Sequence, residues 1–212
     1  MTALLREAAE WRLLGLMFEC PNEHWRAEVA ALAREVEDPL LASAAHRALE
    51  ESGEGLYHST FGPGGPAAPR EVSYSQSLEL GSMMSEIAAY YDAFAYRPAI
   101  AEAPDHIAVQ LGFLSYLRMK QAYAFSAGDN ENAEITAQAA RQFITDHLAR
   151  MAEPLAAGLS ASGISYLDEA GQALARRAGP APKPSMLADG LFPIWKNDDP
   201  LACPGTEAVM EE

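Results

Sequence analysis

The stretch EAPDHIAVQLGFLSYL, residues 102–117, opens with charged and polar residues and then becomes apolar on two sides of one helix. Its first apolar stripe has the spacing of three and four that places side chains on one helical face, and it consists of Ile107, Leu111, Leu114 and Leu117. A second apolar face is formed by Val109, Phe113 and Tyr116. Because a helix that is apolar on several sides is normally enclosed by other helices, we predict a helix from Pro104 to about Phe125 in the middle of a bundle.

The start of this helix admits two interpretations. Proline suits the first helical position, and a carboxylate such as Asp105 is favoured near the positive end of the helix dipole by roughly 0.3–1 kcal/mol. His106 fits this interpretation less well, because a helix start disfavours an imidazolium. Alternatively, Asp105 and His106, together with Glu102, are exposed above a groove and accept hydrogen bonds from the guanidinium groups of a basic peptide. In that case, alanine at Asp105 or His106 weakens peptide binding and leaves the fold intact.

Helical periodicity also dominates the rest of the chain. We predict further helices over residues 1–18, 23–37, 39–52, 78–96, 133–151 and 160–179. Pro154 is expected to begin another short helix, and Ser165 with Asp168 has the spacing of a capping box. No segment shows the alternation of a β-strand. The sequence therefore predicts an all-α, single-domain helical bundle over residues 1–179, followed by a proline-rich, acidic and largely irregular tail over residues 180–212.

Residues 53–76, GEGLYHSTFGPGGPAAPREVSYSQ, interrupt the helical pattern with three prolines and five glycines. Such a density of Gly and Pro favours neither helix nor sheet, so we predict a long irregular loop, and long loops in compact domains are often functional. The loop lacks the Gly-Lys-Ser/Thr sequence of a phosphate-binding loop.

The composition limits the partners. The chain has 212 residues, with 15 Lys and Arg against 30 Asp and Glu, for a formal net charge of −15. A surface this acidic repels phosphate backbones, so nucleic acid is not expected as a partner, whereas a cationic peptide would be attracted. The same charge also serves solubility.

The cysteines, the N-terminal residues and the length of the apolar runs indicate where the protein is located. Cys20 and Cys203 are too far apart in the chain to indicate a disulfide framework or a metal site. The first 18 residues lack the pattern of a signal peptide, and no apolar run reaches the length of a membrane span. We therefore expect a cytoplasmic protein without stable membrane insertion.

Local catalytic motifs are absent from the sequence. None of the five histidines follows a glutamate by three positions, and the zinc-helix, nucleophile-elbow and dinucleotide-binding patterns do not occur. We predict a protein that is not an enzyme and that has no cofactor or metal of its own. An alternative is a metal- or small-molecule-binding helical enzyme that uses Asp105, His106 and His58, and another is a structural subunit of a larger assembly. The pair Asp146 and His147 is interpreted as surface.

Two segments carry a resemblance to a known family. Glu102, Pro104, Asp105, His106 and Ile107 match the Glu-Pro-x-Asp-His signature helix of the TorD/DmsD/NarJ family of redox-enzyme maturation chaperones. A second segment lies upstream and is formed by Phe61, Gly62, Pro63, Pro69 and Glu71. It is similar to the family's Phe-x-Gly-Pro loop, which is followed by Pro-x-Glu. Relatives often have an aromatic residue before that glutamate, where this chain has Arg70. The resemblance covers roughly residues 3–178.

The resemblance implies a function and a set of partners. Members of the family bind the twin-arginine signal peptide of a molybdenum-cofactor enzyme, retain its catalytic subunit in the cytoplasm until the cofactor is inserted, and so prevent premature export. Their Asp-His segment and proline-rich loop are implicated in peptide recognition, which assigns that role here to the matching residues. The loop and tail are most similar to those of chaperones for anaerobic dehydrogenases of dimethyl sulfide or ethylbenzene. Some members dimerise by exchanging helices, so a monomer and a helix-swapped homodimer both remain open.

Overall fold

The computed structural model describes residues 1–75 and 80–182, and over these ranges the chain is helical. The helices are α1 (Thr2–Leu16), α2 (Trp25–Leu32), α3 (Pro39–Glu51), α4 (Glu54–Phe61), α5 (Leu80–Ala93), α6 (Ile107–Ser126), α7 (Asn130–Phe143), α8 (Ala149–Ala161) and α9 (Ser165–Ala178). A 3₁₀ turn spans Glu71–Tyr74, and a π-helical turn spans Ile144–Leu148 between α7 and α8. The described residues contain no β-strand, so the all-α prediction is confirmed.

The central position predicted for α6 is also confirmed. Its side chains from Ile107 to Leu111 are all buried, and α1 and α7 pack on different sides of it. The approach of α1 is close, because a Cβ atom on Gly15 would lie 3.4 Å from the Cβ of Leu111. Ser115 on α6 donates a hydrogen bond to the carbonyl of Ala8 on α1 at 2.9 Å. These contacts fix the start of α6 relative to the rest of the bundle.

The loop prediction for residues 53–76 is wrong in two places. Residues Glu54–Phe61 form α4, because Tyr57, Thr60 and Phe61 share a face that packs into the core. The 3₁₀ turn at Glu71–Tyr74 is a second ordered piece. Between α4 and this turn, the irregular connection spans residues 62–70, and the last residue of the predicted loop, Gln76, lies outside the described residues.

The predictions for the later helices also need correction. Pro154 lies inside α8 instead of starting a new helix, and it is on the exposed side, where water can bind the carbonyl that the missing N–H leaves free. Ser165 is the first residue of α9, whose N-cap is Ile164 without a side-chain hydrogen bond, so the capping box with Asp168 does not form.

The last two described helices close the bundle. Helix α9 packs against α3 and α8. Its crossing with α8 is tight at Gly171, where a Cβ atom would lie 3.1 Å from the Cα of Ala156. Residues 1–182 form one compact unit. Most of the predicted irregular tail, 180–212, thus lies outside the described residues.

Candidate functional site

The proline-rich segment lies against the start of α6 and is held there by main-chain hydrogen bonds. The N–H of Glu71 donates to the carbonyl of Asp105 at 3.0 Å, and the N–H of Ile107 donates to the carbonyl of Pro69 at 2.8 Å. Arg70 and His106 therefore face each other in an isolated antiparallel bridge. We call residues 69–72 and 105–107 the clasp. The two segments that carry the family resemblance thus meet in space.

Asp105 is the buried carboxylate of the clasp, with a fully enclosed side chain. Its Oδ1 accepts a hydrogen bond from Nε of Arg70 at 2.8 Å and lies 2.8 Å from Nη2 of the same guanidinium. Its Oδ2 accepts from the N–H of Val72 at 3.3 Å. The expectation that Asp105 and His106 are exposed above a groove is wrong, because the loop pairs over the start of α6 and leaves His106 only 2% exposed.

His106 is the N-cap of α6. Its Nδ1 accepts a hydrogen bond from the N–H of Ala108 at 3.2 Å, and its Nε2 lies 3.5 Å from the hydroxyl of Tyr57. Burial lowers the pKa of His106 to about 4; Arg70 acts in the same direction and Asp105 opposes it. The imidazole is therefore neutral at pH 7 and satisfies an N–H group at the helix start.

This lowered pKa makes stability depend on pH. The folded-state pKa of about 4 lies below the ordinary value of 6.5, so the unfolded chain takes up the proton first. The contribution of His106 is complete above the ordinary value and decreases as the pH falls toward the folded-state value. Between pH 7 and pH 5, we expect this residue to account for a loss of about 2 kcal/mol in the free energy of unfolding.

Urea unfolding of the wild type and of His106→Asn at both pH values tests this expectation. Asparagine preserves an N-cap acceptor but does not titrate, so the variant should lose less stability on acidification. His24→Asn, at an exposed histidine, is the matched control and should follow the wild type. Parallel pH profiles for His106→Asn and the wild type would contradict the assignment.

Glu71 connects the clasp to the π-helical turn. Its side chain is buried, Oε2 accepts a hydrogen bond from Nε2 of Gln110 at 2.6 Å, and Oε1 lies 3.2 Å from Nδ1 of His147. Tyr90 and Phe143 pack against the imidazole ring, with ring centroids at 5.8 and 4.9 Å. This buried network joins the loop, α6 and the π-helical turn.

The interpretation of His147 as a surface residue is therefore wrong. The sequence contains a signal that identifies it as buried: Phe143, His147 and Met151 recur at intervals of four, and all three are buried. Gln110, fully enclosed on α6, was not identified from the sequence either. Its position gives no indication of the Glu71 contact, because the two residues meet only in the folded chain.

The remaining candidate residues differ in exposure. Glu102, Pro104 and Pro63 are exposed, and Pro69 is half-buried. Phe61 is buried and packs edge-on against Phe18, with ring centroids 6.2 Å apart.

Gly62 is required by a close approach at the end of α4. A Cβ atom at this position would run into the carbonyl oxygen of His58. The structure thus brings the candidate residues to one region but divides them between its surface and its interior.

The alternative site of Asp105, His106 and His58 does not assemble. His58 is exposed and lies 3.7 Å from Glu54 on the same helix. Asp105 is occupied by Arg70, and His106 by the backbone and Tyr57. Within residues 1–75 and 80–182, no group of three or more His, Cys, Asp or Glu side chains is arranged to hold a metal ion.

An acidic region lies beside Tyr57 and Cys20. Burial, followed by the charges of Glu102 and Glu19, raises the pKa of Tyr57 to about 12. Burial also raises the pKa of the Cys20 thiol, with contributions from Glu54 and Glu102. We call Glu19, Glu54 and Glu102 the acidic region, because Glu19 acts on Tyr57, Glu54 acts on Cys20, and Glu102 acts on both.

A cavity of about 590 Å³ lies between α1, α2 and α6 and includes one residue of the acidic region, Glu19. Its apolar lining includes Leu5, Leu32, Ile100 and Met119. Inside it, Nε of Arg12 lies 2.6 Å from Glu28 and Nη1 lies 2.5 Å from Glu19. The cavity therefore combines an apolar wall with carboxylates at one side.

A second cavity, of about 780 Å³, lies between α5, α6 and α7. Tyr123 is 76% exposed there, and Met119 and Ile135 are each 49% exposed. The two cavities share Tyr116 and Met119, so they adjoin along one side of α6. The sequence did not predict them, because apolar periodicity does not show which part of a helix its neighbours fail to cover.

The described residues thus form a helical bundle with a loop held against α6, an acidic region and two adjoining apolar cavities. The chain matches the family model of the nitrate reductase delta subunit over residues 22–157, and it belongs to that family. The match spans both segments of the resemblance and confirms its NarJ branch. The family is one of molybdoenzyme maturation chaperones, as distinct from enzymes.

No curated protein matches the chain. Over the described ranges, none of the helices has the combination of length and hydropathy that a membrane span requires.

Proposed function

We propose that this protein is a cytoplasmic chaperone that binds the twin-arginine signal peptide and the apo catalytic subunit of a molybdoenzyme. In this role it assists cofactor insertion and prevents premature export. The observation that carries the proposal is family membership over residues 22–157. The family description favours a nitrate reductase as client, and the loop and tail favour a related anaerobic dehydrogenase.

The acidic region and the adjoining cavities suit such a peptide. A twin-arginine leader joins two cations to an apolar run, so its binding partner needs carboxylates next to an apolar surface. Glu102 and Glu54 are exposed, and Glu19 lines the cavity between α1, α2 and α6. Exposed Met119 borders both cavities, and methionine adapts its shape to different apolar ligands.

The residues implicated by the resemblance divide into two roles in this proposal. Exposed Glu102, Pro104 and Pro63 contact the peptide. Phe61, Gly62, Pro69 and Glu71, together with His106, hold the loop in the shape that presents those contacts. Asp105 is buried under Arg70, so any contact of its carboxylate with a ligand first requires Arg70 to move.

Isothermal titration calorimetry with a synthetic peptide, two arginines followed by an apolar run, tests the proposal. We expect binding that weakens with added salt, because exposed carboxylates attract the peptide. Glu102→Gln should weaken binding by about threefold to tenfold, the range for one partly exposed ion pair or charge-assisted hydrogen bond. Glu50→Gln removes a charge from an exposed site on α3 and is the matched control.

The peptide controls separate specific recognition from general attraction. A peptide with two lysines retains the charge but loses the planar fork of the guanidinium, so it should bind more weakly. Equal affinity for both peptides, or equal losses in Glu102→Gln and Glu50→Gln, would show that only the overall charge of −15 is being measured. Absence of binding to any twin-arginine peptide would contradict the proposed function.

A further inference from the structure

The ion pair between Arg70 and Asp105 is asymmetric in its exposure. The Asp105 side chain is 0% exposed, whereas the Arg70 side chain is 44% exposed. The arginine therefore reaches the buried carboxylate from the protein surface. Removing its side chain would uncover Oδ1 of Asp105 on the side that the guanidinium now occupies.

The two oxygens of Asp105 have different partners. Oδ2 accepts the N–H of Val72, which belongs to the clasp, while Oδ1 accepts a hydrogen bond from Nε of Arg70 and lies 2.8 Å from Nη2 of the same guanidinium. The position of the carboxylate is set by the backbone around it, because Glu71 and Ile107 form main-chain hydrogen bonds across the clasp. A different guanidinium could thus occupy Oδ1 while the main-chain pairing stays in place.

We propose that Asp105 is a guanidinium receptor and that Arg70 occupies it as an internal substitute for an arginine of the client peptide. This proposal rests on the proposed function for the identity of the ligand. In the free protein, Arg70 closes the site. When the client binds, one of its arginines displaces Arg70 from Oδ1, and the exposed Arg70 side chain moves into solvent. Arg70 therefore competes with the client and lowers its apparent affinity.

The competition predicts that removing the Arg70 side chain raises the affinity for the client peptide instead of lowering it. Arg70→Ala should bind the twin-arginine peptide about tenfold more tightly than the wild type, since a charge-assisted hydrogen bond to a buried carboxylate no longer has to be broken first. Arg141→Ala removes the same charge from an exposed pair with Glu134, away from both cavities, and is the matched control, because it reports the general effect of a more negative protein. The double variant Arg70→Ala/Asp105→Asn should lose the gain.

A small-molecule probe tests the receptor without a client. We expect millimolar ethylguanidinium to raise the thermal midpoint of Arg70→Ala more than that of the wild type, because a ligand that binds only the folded state stabilises it. Ethylammonium has the same charge but lacks the planar guanidinium group, so it should raise the thermal midpoint by less. Arg70→Met retains the apolar stem and replaces Arg70→Ala in both measurements if the alanine variant does not fold.

The outcomes separate this inference from the proposed function. Peptide binding by the Arg70 variant that is tighter than that of Arg141→Ala supports both proposals. If ethylguanidinium stabilises the Arg70 variant but no variant binds the peptide, the receptor hypothesis is supported and the proposed client is contradicted. The receptor hypothesis is overturned if the Arg70 variant binds the peptide no more tightly than the wild type. It is also overturned if ethylguanidinium does not stabilise that variant selectively. Either result counts even when the wild type binds the peptide.

Discussion

Replacing Glu71 by alanine is expected to lower the free energy of unfolding by about 3–5 kcal/mol, the usual result of removing one partner from a buried charged network. The carboxylate is the shared acceptor for Gln110 and His147, and both of these side chains are buried. Without it, Gln110 and His147 lie in the interior without this partner, and the loop loses its side-chain contacts with α6 and the π-helical turn, while the main-chain hydrogen bonds of the clasp remain. Urea unfolding followed by circular dichroism measures the change.

Two companion variants define what the Glu71 result means. Glu71→Gln has the same size and retains one acceptor oxygen, so its loss should be smaller, about 1–3 kcal/mol. Glu50→Ala removes an exposed glutamate and should change stability by no more than about 0.5 kcal/mol. A loss below about 1 kcal/mol for Glu71→Ala would show that the network contributes little to stability.

Replacing Phe113 by alanine should have an effect of similar size, about 3–5 kcal/mol, because the cavity left by an enclosed aromatic ring adds to the lost transfer free energy. Phe113 is fully buried and lies at the centre of a cluster of rings. Its centroid is 4.9 Å from those of Tyr91 and Phe143, 5.3 Å from that of Tyr96, and 6.2 and 6.4 Å from those of Phe94 and Tyr90.

The same variant should also loosen the clasp. Tyr91 packs on Phe113 and donates a hydrogen bond from its hydroxyl to the carbonyl of Pro104 at 2.8 Å. Hydrogen exchange of the amides of residues 105–110 should therefore accelerate in Phe113→Ala. Phe125→Ala removes the same ring from the same helix at a position that is 46% exposed, and it should leave both stability and exchange nearly unchanged. Equal effects of the two variants would contradict a supporting role for the cluster.

Part of the site was predictable because its signals are local. The apolar stripes of α6 indicated a central helix, and the structure confirms it. The helix begins at Ile107 instead of Pro104, because residues 104 and 105 form a turn and His106 is extended in a bridge with Arg70. The same pairing buries Asp105 and His106, which were expected to be exposed.

Other parts of the site depend on contacts between distant segments. Arg70 and Asp105 are 35 positions apart, and Glu71 and His147 are 76 positions apart, so no local pattern indicates either pair. His147 is the intermediate case, because its spacing from Phe143 predicts burial but does not identify Glu71 as its partner.

The sequence by itself determined that this protein is a helical bundle with a central α6, because side-chain periodicity reports directly on which helix faces avoid water. It also determined the family, through two short segments that the family match now includes. Only the tertiary structure decided which polar groups of those segments face solvent. The physical reason is that burial of a carboxylate such as Asp105 depends on a cation supplied from elsewhere in the chain, and Arg70 reaches it only after the loop has folded over α6.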